Sequence, residues 1–137
     1  MKARWQLYTP DCVTTSKYFL ERLSSFISDG APGNLGTWIT KSEYAKKLIL
    51  MDPRTSTPGL GFAAWTIAVF GSDYESYWQK LKPAVLTMAS GWSSGYGLFT
   101  KGEAPLVVSY VTSPAYHIYA DKTNRYRALV FSEGHVE

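Results

Sequence analysis

Cysteine is almost absent from this sequence: Cys12 is the only one among 137 residues, so no disulfide can form within the chain. Because many exported proteins also lack disulfides, this leaves the redox compartment open. Histidine is scarce too, and His117 and His135 have neither Cys partners nor a His-Glu-x-x-His pattern. We therefore predict no metal site.

Long apolar runs and blocks of like charge are also missing. The longest apolar run, Leu60 to Phe70, is much shorter than the roughly 20 residues that span a bilayer. Lys2 and Arg4 are not followed by an apolar segment, so no signal peptide is visible. The net charge of +3 is scattered without a long basic run. The sequence thus predicts neither a membrane anchor nor a nucleic-acid partner.

Apolar residues are plentiful, at 45% of the chain, which is enough to bury the core of one domain. From residue 48 onward, strand-like and helix-like segments alternate, which is typical of an α/β fold. Strands are predicted at 48–51, 84–88, 106–111 and 127–131. Helices are predicted at 14–29, 42–47, 60–70 and 95–101, from Tyr74 until Pro83, and from Ser113-Pro114 onward.

A turn rich in hydroxyl groups joins the first of these strands to the helix at 60–70. It contains Thr55, Ser56 and Thr57 and is preceded by Arg54. The unpaired N–H groups at a helix start, together with hydroxyl donors, can bind an anion such as phosphate. The same residues also fit a simple helix cap with Pro58 in the first turn, and the cap is favoured when the turn is taken alone.

Aromatic residues follow two other predicted strands: Trp92 follows 84–88, Tyr110 ends 106–111, and Tyr116 lies just beyond it. Ligands of open α/β sheets bind outside the carboxyl ends of the strands, so these side chains could converge on one crevice beside the hydroxyl turn. Aromatic faces bind flat and cationic rings. The pattern suits a ligand with a charged heteroaromatic ring and a phosphate, although these aromatic residues could equally pack the core.

A competing enzymatic interpretation comes from the segment Gly91 to Gly95, which fits the G-x-S-x-G nucleophile elbow. In a small serine hydrolase, Ser93 would be the nucleophile, His135 its base and Asp121 the residue that orients the base. The pattern is short, however, and no His-Gly-Gly-type oxyanion loop precedes it. We rank this alternative below a binding function and predict no catalytic residues.

Four segments taken together are more specific than any single motif. They are Asp52–Gly61, Gly91-Trp92 with Tyr96–Glu103, Ser109–His117, and Phe131–His135. In this order and spacing, the region from about Ser42 to His135 resembles the periplasmic thiamine-binding proteins of ABC importers, which are two-lobed solute receptors. The resemblance implies an α/β fold: an incomplete periplasmic-binding-protein-like lobe, with a mixed sheet flanked by helices.

The resemblance also implies ligand contacts at the hydroxyl turn. Ser56 matches a residue that contacts the phosphate of the ligand, and Thr55 and Thr57 are expected to help through their hydroxyl or backbone groups. Ser93 would lie at the rim of the pocket, in which case its G-x-S-x-G context is coincidental.

The resemblance also implies roles for the aromatic residues. Trp92 matches an aromatic residue at the ligand, and Tyr110 and Tyr116 match tyrosines that contact or stack on it. The implied function is capture of thiamine, thiamine monophosphate or thiamine diphosphate in the periplasm and delivery to a membrane permease, without catalysis or an enzymatic cofactor. A related receptor for another small solute, such as a metal complex or a polyamine, is the other alternative.

The N-terminal part of the sequence departs from this pattern. Residues 1–40 do not resemble the matching family region and are interpreted as a divergent or foreign segment, with 41–137 forming a partial solute-binding lobe. The other lobe and the later pocket residues of the family have no counterpart here. We therefore expect a fragment with weak binding or none.

Overall fold

The computed structural model describes residues 5–10, 42–110 and 112–129. Its strands are β1 (Trp5–Pro10), β2 (Leu48–Met51), β3 (Val85–Ala89), β4 (Leu106–Tyr110) and β5 (Tyr126–Leu129). Its α-helices, numbered within the described residues, are α1 (Thr57–Phe70), α2 (Tyr74–Leu81), α3 (Trp92–Thr100) and α4 (Ser113–Ala120). Short 3₁₀ turns lie at Ser42–Tyr44, Gly71–Asp73 and Lys82–Ala84.

The five strands form one mixed sheet in the order β3-β2-β4-β1-β5. β2 pairs in parallel with both β3 and β4, whereas β1 is antiparallel to both β4 and β5. The register places Leu48 opposite Leu106, and Trp5 opposite Tyr110. The predicted mixed α/β sheet flanked by helices is therefore confirmed.

The core is centred on β2, whose four residues are all buried. Because side chains alternate along a strand, complete burial means that both faces of the sheet are covered here. α3 packs against β2, β3 and β4, and α1 packs against β1, β2 and β4. A continuous cluster of aliphatic and aromatic side chains results, including Leu48, Leu81, Phe99 and Leu106.

The start of helix α1 packs closely against the end of β2. Ser56 caps it in an extended conformation, and its hydroxyl accepts a hydrogen bond from the Gly59 N–H at 3.5 Å. A β-carbon at Gly59 would lie 2.8 Å from the carbonyl group of Asp52. Only glycine fits so close a contact between helix and strand, so this residue determines how near the helix start lies to the sheet edge.

Most predicted elements are confirmed, with small shifts of their ends. β2 matches its prediction, α1 begins before residue 60, and α3 begins at Trp92 rather than Gly95. β1 was not predicted at all. Asp73 precedes α2, where the sequence favours a helix cap, but its side chain makes no capping hydrogen bond. The predicted helix at 14–29 lies outside the described residues.

No helix in the described part of the chain is both long and apolar enough to cross a membrane.

Candidate functional site

The turns that follow β2, β3 and β4 lie at one edge of the sheet. These three strands are neighbours and run parallel, so their carboxyl ends point the same way. The hydroxyl turn follows β2, Gly91 follows β3, and Thr112 follows β4. The predicted clustering of these loops is confirmed, and it is the usual ligand-binding edge of an open α/β sheet.

A cavity of about 320 Å³ opens between α3, α4 and the end of β4. It is lined by Trp92, Tyr96, Thr100, Tyr110, Thr112, Ser113, Tyr116 and His117. The predicted convergence of Trp92, Tyr110 and Tyr116 on one crevice is thus confirmed as geometry. None of the lining side chains is a lysine, arginine, aspartate or glutamate, so the walls are aromatic and hydroxylic.

Trp92 forms one wall of this cavity and is held on two sides. Its indole stacks on Tyr96, with ring centroids 4.8 Å apart and planes 17° apart, and Tyr110 lies 6.1 Å away at a tilt of 57°. Its Nε1–H donates a hydrogen bond of 2.9 Å to the Ser109 hydroxyl. Ser109 is fully buried and in turn bonds to the Ser113 hydroxyl at 3.0 Å.

His117 closes the inner end of the cavity and is only 5% exposed. Its Nε2 lies 2.9 Å from the Tyr96 hydroxyl, and its Nδ1 lies 2.5 Å from the Asp121 carboxylate. Burial raises the pKa of Tyr96 to about 12; Tyr126 and Asp121 add to the rise, while a hydrogen bond to Ser113 opposes it. Tyr96 therefore keeps its proton and remains a hydrogen-bond donor at neutral pH.

Tyr116 differs from these residues because it is 63% exposed. Its ring meets His117 edge-on, with centroids 5.6 Å apart and an interplanar angle of 74°. It lies at the mouth of the cavity, where little packing restrains it. A ligand that stacks on Tyr116 would bury apolar surface that the protein alone leaves in water.

The hydroxyl turn lies beside the crevice but does not line it. Ser56 is buried and serves as the cap of α1, whereas Thr55 and Thr57 are exposed. The Thr55 hydroxyl donates a hydrogen bond of 2.6 Å to the carbonyl of Ser90, two residues before Trp92. The capping role is thus present, and the bond from Thr55 fixes the turn against the loop that carries Trp92. Anion binding by this turn stays a prediction.

Asp52 and Arg54 form an ion pair at the start of the hydroxyl turn. Nη2 of Arg54 lies 2.6 Å from the Asp52 carboxylate, and Nε lies 3.0 Å from its other oxygen. These side-chain hydrogen bonds, with one from the Arg54 backbone N–H, lower the pKa of Asp52 to about 2. The ion pair thus keeps the Arg54 guanidinium at the turn, and the Asp52 carboxylate offsets its positive charge.

Ser93 lies in the first turn of α3 and is exposed, and it is absent from the cavity lining. Ser93 therefore does not line the cavity, and its place at the rim stays a prediction. Asp121, expected to orient His135 in the hydrolase alternative, bonds to His117 instead. His135 lies outside the described residues. The second glycine of the elbow pattern, Gly95, has a packing role, because a β-carbon there would lie 2.8 Å from Met51 Cε.

Thr112, Ser113 and His117 belong to the segment after β4 that the sequence singled out, and they line the cavity. Tyr96 and Thr100 line it as well, but neither was predicted as a site residue. A usable signal was present for Tyr96, because residues four apart share a helix face and Tyr96 follows Trp92 by one turn. In the described ranges, no cluster of three or more His, Cys, Asp or Glu side chains could hold a metal ion.

Comparison with known proteins gives a consistent family resemblance. Over 96 residues the chain is 55% identical to the thiamine-binding periplasmic protein of Brucella melitensis, and over 97 residues it is 52% identical to that of Escherichia coli K12. These matches cover 70% and 71% of the chain but only 29% and 30% of the relatives. The chain therefore spans less than a third of the length of these relatives. No family model matches the sequence.

The fold comparison covers nearly the whole chain. A solved periplasmic thiamin binding protein superimposes with a TM-score of 0.78 at 38% identity, over 97% of this chain and 37% of that one. The periplasmic binding protein AfuA from Actinobacillus pleuropneumoniae, solved with fructose-6-phosphate, gives 0.69 at 15% identity over 97% and 38%. The second match shows the fold alone. The resemblance inferred from the sequence motifs and the periplasmic-binding-protein-like fold are both confirmed.

Proposed function

We propose that this chain, which shares sequence and fold with one part of the periplasmic thiamine-binding proteins, forms one wall of a binding site for thiamine or its phosphates. The observation that carries the proposal is the crevice at the carboxyl ends of the strands, where Trp92, Tyr110 and Tyr116 line one cavity. Aromatic rings line this cavity both from α3, with Trp92, and from α4, with Tyr116. The relatives with which it shares about half of the aligned residues carry thiamine in their names.

The chemistry of the cavity supports a flat, cationic ring as ligand. Thiamine contains a pyrimidine and a positively charged thiazolium, and such rings are attracted by the faces of Trp and Tyr. Because the lining contains no lysine or arginine, a cation entering the cavity meets no fixed positive charge. The partly exposed Tyr116 can cover the ring from the solvent side.

The hydroxyl turn supports a phosphate at the other end of the ligand. Ser56, Thr55 and Thr57 surround the start of α1, where the helix dipole and unpaired N–H groups favour an anion. Thr55 bonds to the loop of Trp92, which brings the turn and the aromatic crevice together. In this proposal, Ser56 and its two neighbours contact the mono- or diphosphate, while the aromatic residues hold the rings.

The same proposal excludes catalysis. Ser93 is exposed at a helix start and has no histidine base among the described residues, since His117 is engaged by Tyr96 and Asp121. An ester-hydrolysis assay of the chain and of Ser93→Ala tests this point. Turnover that disappears in Ser93→Ala would contradict a pure binding function.

We propose that a complete protein containing this lobe acts in the periplasm and delivers its ligand to the permease of an ABC importer. Two-lobed receptors bind by closing both lobes around the solute. One lobe supplies part of the contacts, so we expect this chain to bind more weakly than a complete two-lobed receptor. Within it, we propose that residues 41–137 form the solute-binding part and that 1–40 are divergent.

Titration of the purified chain with thiamine diphosphate, followed by tryptophan emission, tests the proposal. Stacking on Trp92 should change the emission in a saturable way, and Trp92→Phe should remove the change. Trp78→Phe is the matched control, because Trp78 bonds to Thr66 away from the cavity. A folded chain whose emission does not respond to the ligand, or a response that survives in Trp92→Phe, would contradict binding at this crevice.

A further inference from the structure

One side of the crevice is held by buried hydroxyl groups. The Trp92 Nε1–H donates to Ser109 Oγ at 2.9 Å, and Ser109 Oγ lies 3.0 Å from Ser113 Oγ. Both serines are buried, and their hydroxyls can each donate one hydrogen bond and accept another. The Trp92 indole is therefore held by a pair of buried hydroxyl groups beneath the cavity.

A second series of hydrogen bonds holds the other aromatic residue of the wall. The Tyr96 ring stacks on Trp92 with centroids 4.8 Å apart, and its hydroxyl lies 2.9 Å from His117 Nε2. His117 Nδ1 lies 2.5 Å from the carboxylate of Asp121, a side chain that is 50% exposed. This series connects Tyr96, and through ring stacking Trp92, to a carboxylate at the surface.

The Asp121 end of this series fixes its direction. An ionised carboxylate can only accept a hydrogen bond. Asp121 thus requires the proton of a neutral His117 to be on Nδ1, which leaves Nε2 to accept from the Tyr96 hydroxyl. Both hydrogen bonds therefore point from Tyr96 toward Asp121.

Regular spacing in two helices creates this arrangement. Ser113, His117 and Asp121 follow one another at four-residue intervals along α4 and its end, so they share one helix face. Trp92 and Tyr96 have the same spacing on α3. The facing surfaces of the two helices place the Tyr96 hydroxyl opposite His117 Nε2.

We propose that Asp121 and His117 are positioning residues of the crevice, which fix the orientation of Tyr96 through this one-directional hydrogen-bond series and that of Trp92 through its stacking on Tyr96. The inference rests on the proposed function for its consequence in ligand binding, but the series itself exists without ligand. Loss of the Asp121 acceptor would free His117 to place its proton on Nε2. Tyr96 would then have to accept rather than donate, and its ring would shift together with the stacked Trp92 indole.

The first test needs no ligand. ¹⁵N NMR of the chain should show His117 protonated on Nδ1 and bare on Nε2, and Asp121→Ala should shift the proton toward Nε2. Asp121→Ala should also change the near-ultraviolet circular dichroism of Trp92, and that change should vanish in the Trp92→Phe background. Asp73→Ala, which removes an exposed carboxylate elsewhere, should alter neither signal.

A second variant removes the hydroxyl partner of Ser109 instead. Ser113→Ala should disturb the Trp92 signal while His117 keeps its Nδ1 proton, because the bond to Asp121 remains. A wild-type His117 protonated on Nε2, or a Trp92 signal unchanged in Asp121→Ala, would overturn the proposal. Thermal melts that match those of Asp73→Ala would show that the variants are folded.

Ligand binding separates this inference from the proposed function. If the chain binds thiamine, Asp121→Ala should raise the dissociation constant about fivefold to tenfold, as the loss of one oriented hydrogen bond implies. Wild-type binding with no change in Asp121→Ala would overturn the positioning role and leave the function standing. Failure of the wild type to bind would overturn the function, while the NMR and dichroism results would still decide the hydrogen-bond series.

Discussion

Trp92 and Tyr96 stack face to face from adjacent turns of one helix, with ring planes 17° apart. The indole is restrained by this stacking and by its hydrogen bond to Ser109, and the phenol by its bond to His117. Two independent restraints on each ring leave little freedom to lose when a ligand arrives. Pre-organisation of this kind lowers the entropic cost of binding.

Tyr116 allows the ligand site to be tested without damaging the fold. Because it is 63% exposed, Tyr116→Ala should change the free energy of unfolding by no more than about 0.5 kcal/mol. The same change should weaken thiamine binding strongly, since the stacking ring at the cavity mouth is lost. Tyr119→Ala is the matched control: Tyr119 lies on the same helix, is 81% exposed and does not line the cavity. Equal ligand affinities for the two variants in calorimetric titrations would remove Tyr116 from the site.

Gly59 should be intolerant of a side chain. In Gly59→Ala the new methyl would press on the backbone of Met51 and Asp52, and we expect a loss of about 1–3 kcal/mol in the free energy of unfolding. Gly97→Ala is a useful contrast, since no atom outside its own helix lies within 4 Å of that position. It should gain about 0.5–1 kcal/mol from helix propensity. Urea denaturation of both variants checks the prediction, which fails if Gly59→Ala is as stable as Gly97→Ala.

Thr66 provides the acceptor for a partly buried indole. Its hydroxyl receives the Trp78 Nε1–H at 2.9 Å and donates to the Ala63 carbonyl at 2.7 Å. Thr66→Val keeps the shape but leaves the indole N–H without its acceptor, so the free energy of unfolding should fall by about 1–3 kcal/mol. Thr66→Ser, which keeps the hydroxyl, should lose less. Denaturation midpoints in the opposite order would contradict this account.

The titration of Asp52 should depend on Arg54. Hydrogen bonds from Arg54 lower the pKa of Asp52 to about 2, so Arg54→Ala should raise it toward the ordinary value of 3.8. The pair stabilises the fold above the unfolded-state pKa of Asp52, and its contribution is lost as the pH falls from there through the lowered pKa. NMR titration of the Asp52 carboxyl carbon measures the shift. Lys80→Ala, which removes an exposed charge from α2, should leave this titration unchanged, and an equal shift in both variants would refute the pairing.

Local sequence patterns predicted the elements whose residues all favour one structure. β2 is a short apolar run between turn signals, and its bounds were predicted correctly. α3 was predicted to begin too late because the Ser- and Gly-rich residues from Ser90 to Ser94 were interpreted as a turn. Gly95, a poor helix former, lies inside the helix because α3 packs so closely on Met51 that a side chain would clash. That contact is tertiary, and no local pattern reveals it.

Part of the site was predictable from the order of the strands. Trp92, Tyr110 and Tyr116 follow parallel strands, and the topology rule alone brings them to one edge. Tyr96 was missed because its role depends on how α3 and α4 face each other. β1 was missed because its residues form a strand only through pairing with β4 and β5.

The central position of β1 has a consequence for the order in which the protein folds. Its partners in β4 are about 100 residues away along the chain, so the sheet closes only through very non-local contacts, which form slowly. During synthesis, β1 leaves the ribosome long before either neighbour exists. Until β4 and β5 emerge, the backbone N–H and C=O groups of β1 lack their strand partners and can pair with other chains. Binding of a chaperone to this stretch would prevent such pairing.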